Sequence, residues 1–139
     1  MTPPLRADAR VPAAVFAGGL CGATGRALIA EWLPDEPGSW PWATLLVNVA
    51  GALLLGYVIT RLQDGREPFA HAGRLLGTGF CGALTTFSTM QLELLQMLDA
   101  GRYALAAAYA LVSLAAGLAA VALTTGLARR DRPGAASAA

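Results

Sequence analysis

The 139-residue chain is 55% hydrophobic and only 14% charged, against about 25% charged in soluble domains. Its mean hydropathy is +0.52, so a soluble globular domain is excluded and an integral membrane protein is indicated. A net charge of +1 gives no electrostatic case for nucleic acid. The single His71 and the separated Cys21 and Cys81 give neither a zinc-type site nor a disulfide framework.

Four apolar stretches follow one another, at 11–30, 42–60, 71–98 and 103–128. Each is long enough for a helix to cross the hydrocarbon core, which takes about 20 residues. Arg6 and Arg10 before the first stretch imitate a signal peptide. Three further spans follow at once, so the first stretch reads as a span and both termini fall on one side. Trp32, Trp40 and Trp42 flank the first connector, where an aromatic belt sits. Residues 1–128 form one four-span membrane domain in this reading, and 129–139, "RRDRPGAASAA", a disordered basic tail. No nucleophile–base pair marks an enzyme.

Polar residues inside spans are packing devices or functional groups. Asn48 in "LLVNVAG" fits either interhelical hydrogen bonding or function. Arg26 lies deep in the first span or snorkels toward the first connector. Glu93 is the only acid within the four stretches and falls near the end of the third, at a vestibule or interface. Tyr109 and Ser113 are four apart and share a helix face, which Gly117 continues. Gly51, Gly56 and the Ala/Gly series of the fourth stretch mark close helix packing.

The third stretch combines Gly77, Gly79 and Gly82 with Thr78, Thr85, Thr86, Ser88 and Thr89. Each glycine weakens a helix by about 1 kcal/mol relative to alanine. A break at bilayer depth frees carbonyls that need protein, water or an ion as partner. Carbonyl oxygens suit a hard cation, whereas hydroxyl and amide donors suit an anion. The alternative is a Ser/Thr-rich kink whose hydroxyls bond back to carbonyls.

Four patterns in these spans resemble the Fluc (CrcB) family of fluoride channels. "GGLCGATGRAL" (18–28) resembles the family's GGxxGAxxRY, with Ala27 in the tyrosine's place. "TLLVNVAGALLLG" (44–56) resembles TLxVNxxGxxxxG. "GFCGALTTFST" (79–89), with Glu93 after it, resembles the most specific run, GFCGGxTTFSTFSxE. Tyr109 and Ser113 resemble the start of the polar track of the fourth span.

The resemblance implies an all-α integral membrane protein of four transmembrane helices, with the third broken at mid-membrane. It implies an antiparallel dimer, with one structural Na⁺ at its centre on the backbone carbonyls of Gly82 and Thr85 from each subunit. Two flanking pores would pass fluoride along the Asn48 amide, the Phe87 ring edge, Thr89, the position of Met90, Tyr109 and Ser113. Arg26 and Glu93 would shape the entrance. A close row of donors replaces the anion's water, while full positive charges would hold it too tightly to release. The implied process is passive fluoride export across the plasma membrane. The chain departs from the family at Ala83, at Gly117 where a hydroxyl is usual, and at Met90 where a second phenylalanine stands. A thioether packs there without an aromatic edge.

Two other classes remain. A small multidrug-type transporter needs a deep acid in the first span, and 11–30 holds none. A non-conducting or regulatory subunit of a heteromeric channel differs from a channel by fluoride efflux from liposomes. Arg6, Arg10, Arg61, Arg66, Arg74, Arg129, Arg130 and Arg132 fall on one side of the four spans, and Arg102, with Arg26 if it snorkels, on the other. That bias expects cytoplasmic termini and one dominant orientation. An antiparallel partner would then be a paralogue in a heterodimer; a homodimer requires inverted insertion of the same chain. Membrane lipid surrounds either assembly.

Overall fold

The structure is a computed structural model that describes residues 9–62 and 73–130. His71, Arg6, Arg66, Arg132, the first two residues of the third stretch and the tail from 131 lie outside the described residues. The described residues are helical, without a strand among them. Helix α1 spans Arg10–Trp32 and α2 spans Trp42–Leu62. The third segment is composite: α3, Arg74–Cys81, α4, Gly82–Leu84, and α5, Phe87–Asp99. Helix α6 runs through Tyr103–Arg130, including Arg129 and Arg130. By length and composition α1, α2 and α6 are each able to cross a membrane.

Two described connections, 33–41 and 100–102, join successive helices. Helix α5 ends in a Schellman arrangement: Arg102 N–H donates to the Met97 carbonyl at 2.8 Å and Gly101 N–H to Leu98 at 2.9 Å. Gly101 has φ 71°, the left-handed geometry that favours glycine at this position. The Arg102 guanidinium then donates to the Gly38 carbonyl at 3.0 Å, tying the α5–α6 turn to the α1–α2 connector at one end of the bundle. Leu62 packs against Gly73 at the opposite end.

The bundle is organised by two close helix pairs, α1 with α3 and α2 with α6. In the first pair, backbone meets backbone. A Cβ on Gly18 would strike the Leu75 carbonyl, and one on Gly22 the Phe80 carbonyl. One on Gly79 would come 2.6 Å from the Val15 carbonyl. Small residues allow this approach where water supplies no hydrophobic drive between helices. Helix α3 has the wider i→i+5 hydrogen bonding of a π-helix, an uncommon form often found at functional sites. In the second pair Gly56 lies against Thr124 and Val121.

The core is correspondingly small. Met97, Ala106 and Tyr109 are buried together, with Trp40, Leu45, Met90, Leu94 and Leu105 around them. Phe16, Leu20, Leu114, Leu118 and Leu123 all face outward. That is the arrangement of helices whose apolar side chains are solvated by lipid.

Candidate functional site

The site is built around two extended residues. Thr85 has φ −74°, ψ 150° and Thr86 φ −145°, ψ 118°, between α4 and α5. β-Branched threonine tolerates this geometry better than straight-chain helix formers. The interruption ends the helical ladder, so the last carbonyls before it and the first N–H groups after it need other partners. A buried N–H left unmatched costs about 1–3 kcal/mol.

Those partners are supplied locally and by two other helices. Thr85 N–H and Oγ1 both donate to the Cys81 carbonyl, at 3.0 and 2.9 Å. Thr86 is the N-cap of α5: its Oγ1 accepts from Thr89 N–H at 3.2 Å and pairs with Thr89 Oγ1 at 2.8 Å. From α2, Asn48 Oδ1 accepts from Thr86 N–H at 2.8 Å, and Nδ2 donates to the Thr86 carbonyl at 3.1 Å. From α1, Arg26 Nε donates to the Ala83 carbonyl at 3.2 Å. Arg26 is thus directed at the interruption as well as lying near the end of its helix.

One turn along α5, Glu93 accepts from Thr44 Oγ1 and, at 2.8 Å, from the Tyr109 hydroxyl. This carboxylate joins α2, α5 and α6. Tyr109 is fully buried, with the Trp40 ring edge-on at 5.6 Å. Ser113 Oγ is buried with no hydrogen-bond partner among the described residues. Met90 packs against the Met97–Ala106–Tyr109 cluster. Phe87, by contrast, is 69% exposed at the start of α5. Gly82 is exposed, with open space where a Cβ would stand.

Two cavities have Thr89 in their walls. The smaller, about 60 Å³, is lined by Arg26, Thr44, Thr86 and Thr89 among others. The larger, about 250 Å³, opens under the α1–α2 connector and reaches Thr89, Glu93 and Gln96. Asp35 and Glu36 stand on its rim.

The structure gathers Asn48, Thr89, Arg26 and Glu93 around the interruption, with Tyr109 and Ser113 one helix away; Phe87 and Gly82 look outward from it. Two participants were not singled out in the sequence. Thr86 caps α5 and receives Asn48, and Thr44 holds Glu93. Thr44 lies four residues before Asn48, hence on the same face of α2, which was the available signal.

A polytopic membrane protein with an interrupted helix and cavities that polar side chains reach suits a conduction or transport subunit. The sequence profile of the CrcB-like (Camphor Resistance) proteins matches residues 13–126, and the chain belongs to the CrcB family. It is 53% identical to fluoride-specific ion channel FluC 1 of Mycolicibacterium paratuberculosis over 125 residues, 90% of this chain and 95% of that one. It is 51% identical to FluC 1 of Mycobacterium bovis over the same shares. It is 38% identical to FluC 2 of Streptococcus pneumoniae serotype 4, over 76% of this chain and 85% of the relative. The chain is a multi-pass membrane protein of an ion-channel family, not an enzyme.

Proposed function

We propose that the chain is a subunit of a fluoride-selective channel that exports fluoride passively and lowers its cytoplasmic level. One observation carries the reading: similarity to proteins named fluoride-specific channels runs over 90% of the chain, through the interrupted segment with its polar cavity. Fluoride is small and strongly hydrated, so a path for it needs closely spaced donors without full positive charge. The Asn48 amide, the Phe87 ring edge, Thr89 and Ser113 are those donors, and Tyr109 joins the path when its hydroxyl turns from Glu93. The Asn48 Nδ2 group has two hydrogens; one serves Thr86 and the other serves the anion. Arg26 and Glu93 set the potential of the approach.

The functional subunit is half of an antiparallel dimer, in which the third helix breaks at mid-membrane and crosses its counterpart. A structural Na⁺ at that crossing takes the Gly82 and Thr85 carbonyls of each subunit, four oxygens in all. The local residues fit it: Gly82 is exposed with open space beside it, and Thr85 leaves the helix in an extended conformation. Carbonyl oxygen suits a hard cation. The cation supplies charge compensation for the freed carbonyls and takes no part in conduction.

Reconstitution into liposomes tests the reading. Fluoride efflux well above that of empty vesicles, with chloride excluded, is expected; replacing Na⁺ throughout preparation by a large organic cation should abolish it. A second reading, a non-conducting or regulatory subunit of a heteromeric channel, is favoured by Met90, which lies against the core beside Tyr109 and offers no ring edge. The FluC 1 and FluC 2 names of the relatives suit paired paralogues. In that case efflux appears only when the paralogue is co-reconstituted.

A further inference from the structure

The two hydrogen bonds between Asn48 and Thr86 do more than line a path. We propose that the Asn48 carboxamide is a positioning group for the interruption: it takes the place of the helical partner that the Thr86 N–H lacks, adds a donor to the Thr86 carbonyl, and so fixes both the direction of the chain between α4 and α5 and its own remaining N–H. The inference deepens the channel reading, but the clamp itself does not depend on which ion is carried.

The geometry needs an acceptor and a donor side by side on one planar group. Oδ1 accepts from Thr86 N–H at 2.8 Å and Nδ2 donates to the Thr86 carbonyl at 3.1 Å, so one planar group serves both polar ends of a single residue. Turning the amide over would set donor against donor and acceptor against acceptor, so the network assigns its orientation. A hydroxyl has no such two-pronged geometry, and an aliphatic side chain has no polar atoms to offer.

The clamp is one of three contacts in register. Along one face of α2, Thr44 donates to Glu93, Asn48 grips Thr86, and Gly51 lies against the Thr85 methyl group. Residues three and four apart share a helix face, so α2 runs beside the third segment as a template, and each of its steps meets a successive point along that segment. A continuous helix would satisfy its own backbone and need no template. An interrupted one has several conformations open to it, and a rigid neighbour with matched polar groups selects one.

Hydrogen exchange in lipid nanodiscs, read residue by residue over 79–90, tests the clamp without reference to transport. Thr86 lines the polar cavity, so water reaches the segment once the clamp opens. In wild type the Thr86 N–H should exchange at least about tenfold more slowly than an unstructured amide. Asn48→Ala should remove that protection, with exchange rising about tenfold or more. Asn48→Asp should keep it as the carboxylic acid, which accepts from Thr86 N–H and donates to the Thr86 carbonyl but has no second N–H. If Asn48→Ala does not assemble while Asn48→Asp does and is protected, the clamp is likewise supported. An unprotected Thr86 N–H in wild type overturns the proposal whatever the variants do, as does undiminished protection in Asn48→Ala. Fluoride efflux is then read separately. Asn48→Asp protected but silent supports both the clamp and the free N–H as an anion donor. Asn48→Asp protected and fully conducting supports the clamp and removes Asn48 from the anion path.

Discussion

Tyr109 and Glu93 show how a single contact constrains two helices. The Tyr109 hydroxyl donates to a carboxylate that Thr44 also holds, and hydrogen bonds to charged acceptors are worth about 1.5–3 kcal/mol. Tyr109→Phe keeps the ring on Trp40 and removes only that donor. We expect a loss of about 1–2 kcal/mol in stability, seen as a lower melting temperature in detergent. Fluoride efflux should fall further than stability alone explains, because Glu93 lines the larger cavity. Unchanged efflux would show that Tyr109 only packs. Glu93, Tyr109 and Asn48 stood out in the sequence because a polar group inside a span is costly. Which groups pair across helices did not. Thr44 is 49 residues from Glu93 and Arg26 is 57 from Ala83, and spacing along one helix says nothing about which helix faces it. Thr86 was visible only as one hydroxyl in a cluster of five; its main-chain role depends on dihedral angles that no composition encodes.

Between elements, the close packing of α1 on α3 depends on absent side chains. A methyl group on Gly22 would meet the Phe80 carbonyl and Leu84 N–H, both backbone groups with no rotamer to yield. Gly22→Ala should therefore cost about 3 kcal/mol, at the upper end of overpacking penalties. Gly126 is the internal comparison: it is also in a helix but has nothing within 4 Å of a Cβ. Gly126→Ala should be neutral or gain up to about 1 kcal/mol from helix propensity. Thermal unfolding of the two variants in one detergent checks both, and equal effects would mean that α1 and α3 do not pack through bare backbone. Helical character and apolar length were legible in the sequence for elementary reasons: lipid requires internally bonded backbone. The π-helical form of α3 was not. Its glycines signal weakness, but neither their number nor their spacing specifies the wider hydrogen bonding. Sequence reading also left a choice between a break and a back-bonded kink, and the segment has features of both: Thr85 bonds back to Cys81 while Thr86 leaves the ladder.

For the whole molecule, the charges at the two ends of the bundle bear on how it inserts. Arg10 opens α1, Arg61 stands in the last turn of α2, Arg74 opens α3, and Arg129 and Arg130 end α6. The alternation of four segments gathers these at one end; Arg102, with the α1–α2 connector it bonds, lies at the other. Basic residues close to span ends favour the cytoplasmic side, so that end, with both termini, is expected to face the cytoplasm. A chain that inserts equally both ways has nearly balanced ends, and this one does not. Antiparallel pairing with itself would then require half the molecules to insert against the bias. A partner with the opposite bias removes that requirement. A cysteine-free background with a single C-terminal cysteine, labelled from each side of intact cells, measures the orientation directly. Expressed alone, the chain should show one dominant topology, with less fluoride resistance than when an oppositely biased relative is co-expressed. Exchanging the balance, with Arg129 and Arg130 replaced by glutamine and two arginines added to the α1–α2 connector, should shift a large fraction to the inverted form. Equal populations of both orientations in the unaltered chain, together with full fluoride resistance, would establish the homodimer and sever the link between the arginine bias and assembly.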